Sequence, residues 1–192
     1  KTILVIVLQL RTVYILKKDF TMNTNHKYPK SMIFYHSLLA VLMVATLVLG
    51  WVMDRENGLM FFHKSVGALV LFFGVLRIIN RVRNMGNIPP SVNHGALHLV
   101  EKSVHGLLML MMLVLPIVGW LVSNAKGYPV SVFGLFNLPD LIGKNEALSE
   151  TLGEMHEAGA TVFFLVLIAH VVAAVYHKVK TKEDVISRIL PW

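Results

Sequence analysis

The sequence predicts an all-α fold, an integral membrane four-helix bundle with both termini on the cytoplasmic side. Of its 192 residues, 55% are apolar and only 15% are charged, whereas soluble domains carry roughly 25% charged residues. The apolar residues fall into four blocks, each close to the ~20 residues that a helix needs to cross a bilayer. Basic residues gather at one set of block ends, which is typical of a membrane topology.

The first 21 residues do not fit this pattern. An apolar stretch begins at Ile3 but is interrupted by Gln9 and Arg11, so it is too short to span a membrane, and it has no small-residue cleavage site. We interpret residues 1–21 as a doubtful N-terminal extension and expect Met22 to be the native start. The alternative is a short helix that lies on the membrane surface. The four-helix domain is then expected over residues 22–192.

The four membrane spans are predicted near residues 32–53, 61–79, 103–122 and 155–176. Pro116 lies inside the third span, where neighbouring helices can satisfy the carbonyl that it frees. The connection that follows the third span is the longest and carries several acidic residues. No internal repeat is present.

The orientation follows from the basic residues near the span ends. One side of the predicted bundle carries most of them: Lys27, Lys30, Arg77, Arg81, Arg83, Lys102, Lys178, Lys180, Lys182 and Arg188. Because basic residues are enriched in cytoplasmic connections, this side is assigned to the cytoplasm and the acidic third connection to the outside. The net charge of +7 is thus explained by topology, and no nucleic-acid partner is expected.

The chain contains no cysteine. This excludes disulfides, iron–sulfur clusters, thiolate zinc sites and covalent attachment of a c-type haem. Nine histidines and ten methionines remain as ligands for a redox cofactor.

Four histidines lie within the predicted spans, and ionisable residues inside a membrane indicate function by default. His156 and His170 of the fourth span are 14 residues apart, so they share one helix face and are separated by about 21 Å along the axis. With the predicted topology, His63 and His156 lie at the outer level, and His36 and His170 lie at the cytoplasmic level. Because neutral imidazole is a common axial ligand, these two pairs predict two haem b sites.

Two further residues near the predicted haems are candidates. Arg77 follows His63 by 14 residues on the same face, and it is expected to pair with a haem propionate or to act as a snorkelling anchor. His105, early in the third span, has no obvious partner histidine. It is expected to hydrogen-bond a propionate or a quinone, or simply to pack.

The chain resembles the bacterial cytochrome b561 family over about residues 28–191. The features that carry the resemblance occur in this order: His36, the segment from His63 to Arg77 and Arg81, Pro89-Pro90, His105 ahead of Leu115–Gly119, the run NAKGYPVSVFGL, His156-Glu157, His170, Arg188 and Pro191. By resemblance, His36, His63, His156 and His170 match the family's haem ligands. Ser37 and Met155 stand where one member of the family has tryptophans, and side chains at these positions could shape access to a haem.

The resemblance implies a multi-pass protein of the bacterial cytoplasmic membrane, and an oxidoreductase that passes electrons from superoxide to ubiquinone. Lys64 and Lys126, on the outer side, are candidates for steering superoxide, or are ordinary interfacial lysines. The expected partners are membrane lipid, quinone and a small redox donor, either superoxide or quinol.

Two alternatives stay open. A cytochrome b subunit would connect a partner dehydrogenase or hydrogenase to quinone. A histidine-lined metal transporter belongs to another class, and the scarcity of acidic ligands in the spans, where Glu157 is the one Asp or Glu, counts against it.

Overall fold

A computed structural model describes residues 27–53, 58–91, 93–181 and 185–190. The proposed extension at residues 1–21 lies outside these ranges. The described part contains four helices that are long and apolar enough to cross a membrane, so the predicted all-α membrane fold is confirmed. These helices are α1 (Lys30–Val52), α2 (Leu59–Arg83), α3 (Gly95–Ala125) and α4 (Glu146–Tyr176).

Helices α3 and α4 begin about two turns earlier than the hydropathy pattern predicts. Hydropathy marks only the apolar part of a helix, whereas the first turns of both helices contain polar and charged residues. The Asn145 side chain caps α4 by accepting a hydrogen bond from the Leu148 amide at 3.0 Å. The first turn of α4 is therefore stabilised by a local hydrogen bond rather than by apolar burial.

Helices that follow one another in the chain pack together, α1 on α2, α2 on α3 and α3 on α4. Leu39, Val70 and Met112 form the buried core halfway along the bundle. Gly74 allows α3 to approach, because a Cβ there would lie 3.2 Å from the side chain of Met112. Large apolar side chains such as Val41 and Leu165 cover the outside of the bundle, as expected for a lipid-facing surface.

A short β-hairpin follows α3. Strand β1 (Ser131–Val132) pairs with antiparallel strand β2 (Phe136–Asn137). The tight turn between them needs two residues with positive φ, and these are Phe133 at 50° and Gly134 at 75°. The sequence analysis did not predict this hairpin.

The opposite end of the bundle is closed by the C-terminal segment. Helix α4 continues into a π-helical turn (His177–Thr181), and the short helix α5 (Val185–Ile189) lies beneath the start of α1. The Tyr28 amide donates a hydrogen bond to the Arg188 carbonyl at 3.0 Å. The Arg188 side chain donates to the Pro90 carbonyl at 3.3 Å.

Candidate haem site

Two histidines from different helices face each other at the end of the bundle that carries the hairpin. The ring centroids of His63, on α2, and His156, on α4, are 6.1 Å apart, and their planes are nearly perpendicular at 84°. Each ring also faces a glycine on a neighbouring helix. A Cβ at Gly50 would lie 3.2 Å from the His63 ring, and a Cβ at Gly119 would lie 3.0 Å from the His156 ring.

The hydrogen bonds of these two histidines determine which ring nitrogens are free. The His63 Nδ1 lies 3.0 Å from the Thr46 carbonyl. Because a carbonyl only accepts, Nδ1 carries the proton and Nε2 keeps its lone pair. Such a bond is typical of metal-binding histidines, since it orients the ring. The His156 Nδ1 is buried without a hydrogen bond of good geometry within the described residues, although the Leu115 backbone lies within hydrogen-bonding reach of the ring.

At the other end of the bundle, three histidines and an arginine come together. The His105 and His170 rings are 5.0 Å apart, nearly perpendicular at 80°. His36, on α1, lies within electrostatic reach of both rings and of Arg77. The His36 Nδ1 is buried without a hydrogen-bond partner in the described part of the chain. His105, which the sequence left without a partner histidine, is therefore in contact with one, and its Nδ1 donates to the Glu101 carbonyl at 2.8 Å.

Following the predicted topology, we name the cluster of His63 and His156 the outer level. The cluster at the other end of the bundle is named the inner level. One sequence spacing relates the two levels. On every helix, the residue at the outer level and the residue at the inner level are 14 positions apart. The pairs are Gly50 and His36 on α1, His63 and Arg77 on α2, Gly119 and His105 on α3, and His156 and His170 on α4. Each helix thus presents one face to the interior at two depths about 21 Å apart.

Sequence reasoning used this spacing on α2 and α4 only, and it missed Gly50 and Gly119. Adding 14 to His36 and to His105 would have found both glycines. They matter because even a Cβ at Gly50 or Gly119 would crowd the adjacent imidazole, at 3.2 Å and 3.0 Å.

The outer level fits a haem. An imidazole nitrogen lies about 2 Å from a bound metal, and the ring centre lies roughly 1 Å further out. Two rings on opposite sides of one iron therefore have centres about 6 Å apart, which agrees with the 6.1 Å between His63 and His156. At the inner level, the 5.0 Å between His105 and His170 is too short for an iron between them, which favours His36 as the partner of His170.

The two candidate steering lysines lie at the outer end. Lys64 is half-buried next to His63, with Nζ 5.6 Å from the centre of the Tyr128 ring. Lys126 is exposed at the end of α3, within electrostatic reach of Lys64. Among the described residues, no group of three or more His, Cys, Asp or Glu side chains is arranged to hold a bare metal ion.

Comparison with known proteins identifies the family of this chain. Residues 27–192 match the pattern of the prokaryotic cytochrome b561 family. The chain belongs to this family. It is therefore a membrane electron-transfer protein that binds haem b, as expected for a multi-pass bacterial cytochrome b561.

Individual members of the cytochrome b561 family are distant relatives. The chain is 27% identical to cytochrome b561 homolog 2 of Escherichia coli, over 88% of this chain and 93% of the relative. It is 24% identical to cytochrome b561 homolog 1 of the same organism, over 86% of this chain and 98% of the relative. It is also 28% identical to a protein of Yersinia pestis named "Probable superoxide oxidase CybB", over 67% of this chain and 73% of that protein.

Proposed function

We propose that this cytochrome b561 uses two haem b groups, one at each level, to carry electrons from superoxide at the outer face to ubiquinone in the bacterial inner membrane. The observation that supports this most directly is the 6.1 Å between the His63 and His156 rings, a distance that suits two axial ligands of one iron. The name of the Yersinia pestis relative favours superoxide as the donor.

The proposed ligands of the outer haem are His63 and His156, and those of the inner haem are His36 and His170. The pairing of His36 with His170 is supported by their electrostatic proximity and by the 5.0 Å between the His105 and His170 rings, which is too short for an iron between those two. Arg77, within electrostatic reach of His36, is proposed to pair with a propionate of the inner haem. His105 is proposed to orient His170 or to hydrogen-bond a quinone.

The proposed reaction balances with the groups named. Two superoxide anions each lose one electron and leave as O₂, and one ubiquinone takes up both electrons and two protons to become ubiquinol. A bound haem supplies one-electron transfer, and two haems can hold the electron pair that a quinone needs. Lys64 and Lys126, both at the outer end, would attract the anion.

A stopped-flow experiment on the purified protein tests this proposal. We expect superoxide to reduce the haems on the timescale of stopped-flow mixing, and we expect added ubiquinone to reoxidise them. If superoxide leaves the haems oxidised while a partner dehydrogenase or hydrogenase reduces them, the chain is instead a subunit that links such a partner to the quinone pool. The variant Lys64→Gln should slow reduction by superoxide, and the slowing should diminish at high salt.

A further inference from the structure

The Arg188 side chain is the feature of the inner end that the proposed function does not use. It is only 7% exposed. Its Nη1 donates to the Pro90 carbonyl, whereas Nε and Nη2 are buried and have no hydrogen-bond partner among the described residues. A buried guanidinium with two unused donors is unfavourable unless an anion accompanies it.

The two unused nitrogens identify the shape of that anion. Nε and Nη2 form one edge of the planar guanidinium, and their two N–H bonds point in parallel. This edge matches the two oxygens of a carboxylate, which is the usual bidentate partner of arginine. The geometry of the free edge therefore favours a carboxylate as the missing group.

The surroundings of Arg188 also favour an anion. Tyr28 lies against it and within electrostatic reach of Arg81. Burial raises the pKa of the Tyr28 hydroxyl, so this hydroxyl stays protonated and can donate a hydrogen bond. We name Tyr28, Arg81 and Arg188 the inner basic pocket.

Glu101, an acidic side chain within electrostatic reach of Tyr28, is already occupied. Its carboxylate accepts hydrogen bonds from the Ser91 hydroxyl and from the Asn93 side chain at 3.0 Å. It also lies 3.9 Å from His98. Glu101 therefore makes its hydrogen bonds elsewhere, and no described acidic side chain occupies the free edge of Arg188.

We propose that the inner basic pocket binds a propionate carboxylate of the inner haem, with the free edge of Arg188 as its bidentate partner. This inference rests on the proposed function for the presence of that haem. The pocket lies at the start of α1, eight residues before His36. Haem b carries two propionates, and Arg77 is proposed for the other one.

A lipid phosphate is the competing anion, and the burial of Arg188 disfavours it. A guanidinium that binds a lipid headgroup has to be open to the membrane surface, but the Arg188 side chain is buried and donates to the Pro90 carbonyl, and the Tyr28 amide donates to the Arg188 carbonyl.

Redox titration of both haems in Arg188→Gln tests the proposal without depending on turnover. Removing the cation should lower the midpoint potential of the inner haem, because the oxidised iron is then relatively stabilised, and should leave the outer haem unchanged. The variant Arg188→Lys, which keeps the charge but loses the bidentate edge, should fall between the wild type and Arg188→Gln. Arg83→Gln is the matched control, since Arg83 is exposed on the same side, and it should shift neither potential.

The outcomes separate this inference from the proposed function. Unchanged potentials in both Arg188 variants would overturn the inference, and loss of bound phosphatidylglycerol in native mass spectrometry with unchanged potentials would assign the pocket to lipid instead. If Arg188→Gln loses the inner haem but keeps the outer one, the inference is supported. A wild-type protein without an inner haem would overturn the proposed function itself.

Discussion

Two glycines determine how closely the outer imidazoles approach the neighbouring helices. Gly119 packs against His156, and Gly50 packs against His63, so each histidine ring is in close contact with the backbone of a neighbouring helix. The sequence predicted the histidines from their rarity in lipid and their shared depth. It did not point to the glycines, because a glycine in a membrane helix has many common uses.

The variant Gly119→Val should weaken or abolish the outer haem. Even the Cβ at this position would lie 3.0 Å from the His156 ring, and the additional methyl groups would force the imidazole to move. We expect the haem content to fall from two to about one per chain while the inner haem keeps its spectrum. Gly106→Val, on the same helix, is the control, since a Cβ at Gly106 meets nothing within 4 Å; an equal loss in both variants would contradict this explanation.

Because His105 contacts His170, single substitutions can show which histidine is the second ligand of the inner haem. We expect His36→Ala to lose the inner haem and His105→Ala to keep it, because the His105 ring is too close to His170 to share an iron with it. Haem quantification and the low-spin electron paramagnetic resonance signals of the two variants check this. Loss of the inner haem in His105→Ala with retention in His36→Ala would reverse the assignment.

Among the secondary-structure elements, the hairpin after α3 is one that the sequence did not predict. Its strands pair only two residues each, so they carry no alternating pattern, and Phe133 has a positive φ that its residue type does not indicate. What positions the hairpin is a tertiary contact. The Ser65 hydroxyl, on α2 and two residues after His63, accepts from the Phe133 amide at 2.9 Å and lies 3.1 Å from the Ser131 carbonyl.

The variant Ser65→Ala should loosen the hairpin over the outer level. Ser65 is fully buried, so the Phe133 amide loses its partner, at a cost of about 1–3 kcal/mol. We expect amide exchange at Phe133 to accelerate by roughly five- to a hundredfold in hydrogen-exchange mass spectrometry.

Thr161→Ala is the control for the hairpin, because the Thr161 hydroxyl is exposed and bonds only the Glu157 carbonyl of its own helix. Exchange in the hairpin should be the same in this variant as in the wild type. If Ser65→Ala also leaves the exchange unchanged, the hydroxyl does not hold the hairpin.

For the whole molecule, the number and length of the membrane helices could be predicted because lipid imposes a simple requirement on length and hydropathy. The extent of α3 and α4 beyond the membrane could not, since it depends on capping and on contacts in water. The direction of the bundle still rests on the distribution of basic residues. The absence of native cysteine makes this direction simple to measure.

Single-cysteine variants should report the orientation in intact cells. Leu135→Cys, in the hairpin and 81% exposed, should react with a membrane-impermeant maleimide from outside. Met85→Cys, 62% exposed at the other end of the bundle, should react only after permeabilisation. The reverse pattern would contradict the predicted cytoplasmic location of both termini.

The central claim is that paired histidines hold two haems at two depths. Its most direct measurement is the haem-to-protein ratio, by pyridine haemochrome, in the wild type, in His156→Ala and in His170→Ala. We predict a ratio of about two for the wild type and about one for each variant, with a different haem spectrum remaining in each. A wild-type ratio near one, or variants that both keep two haems, would contradict the account.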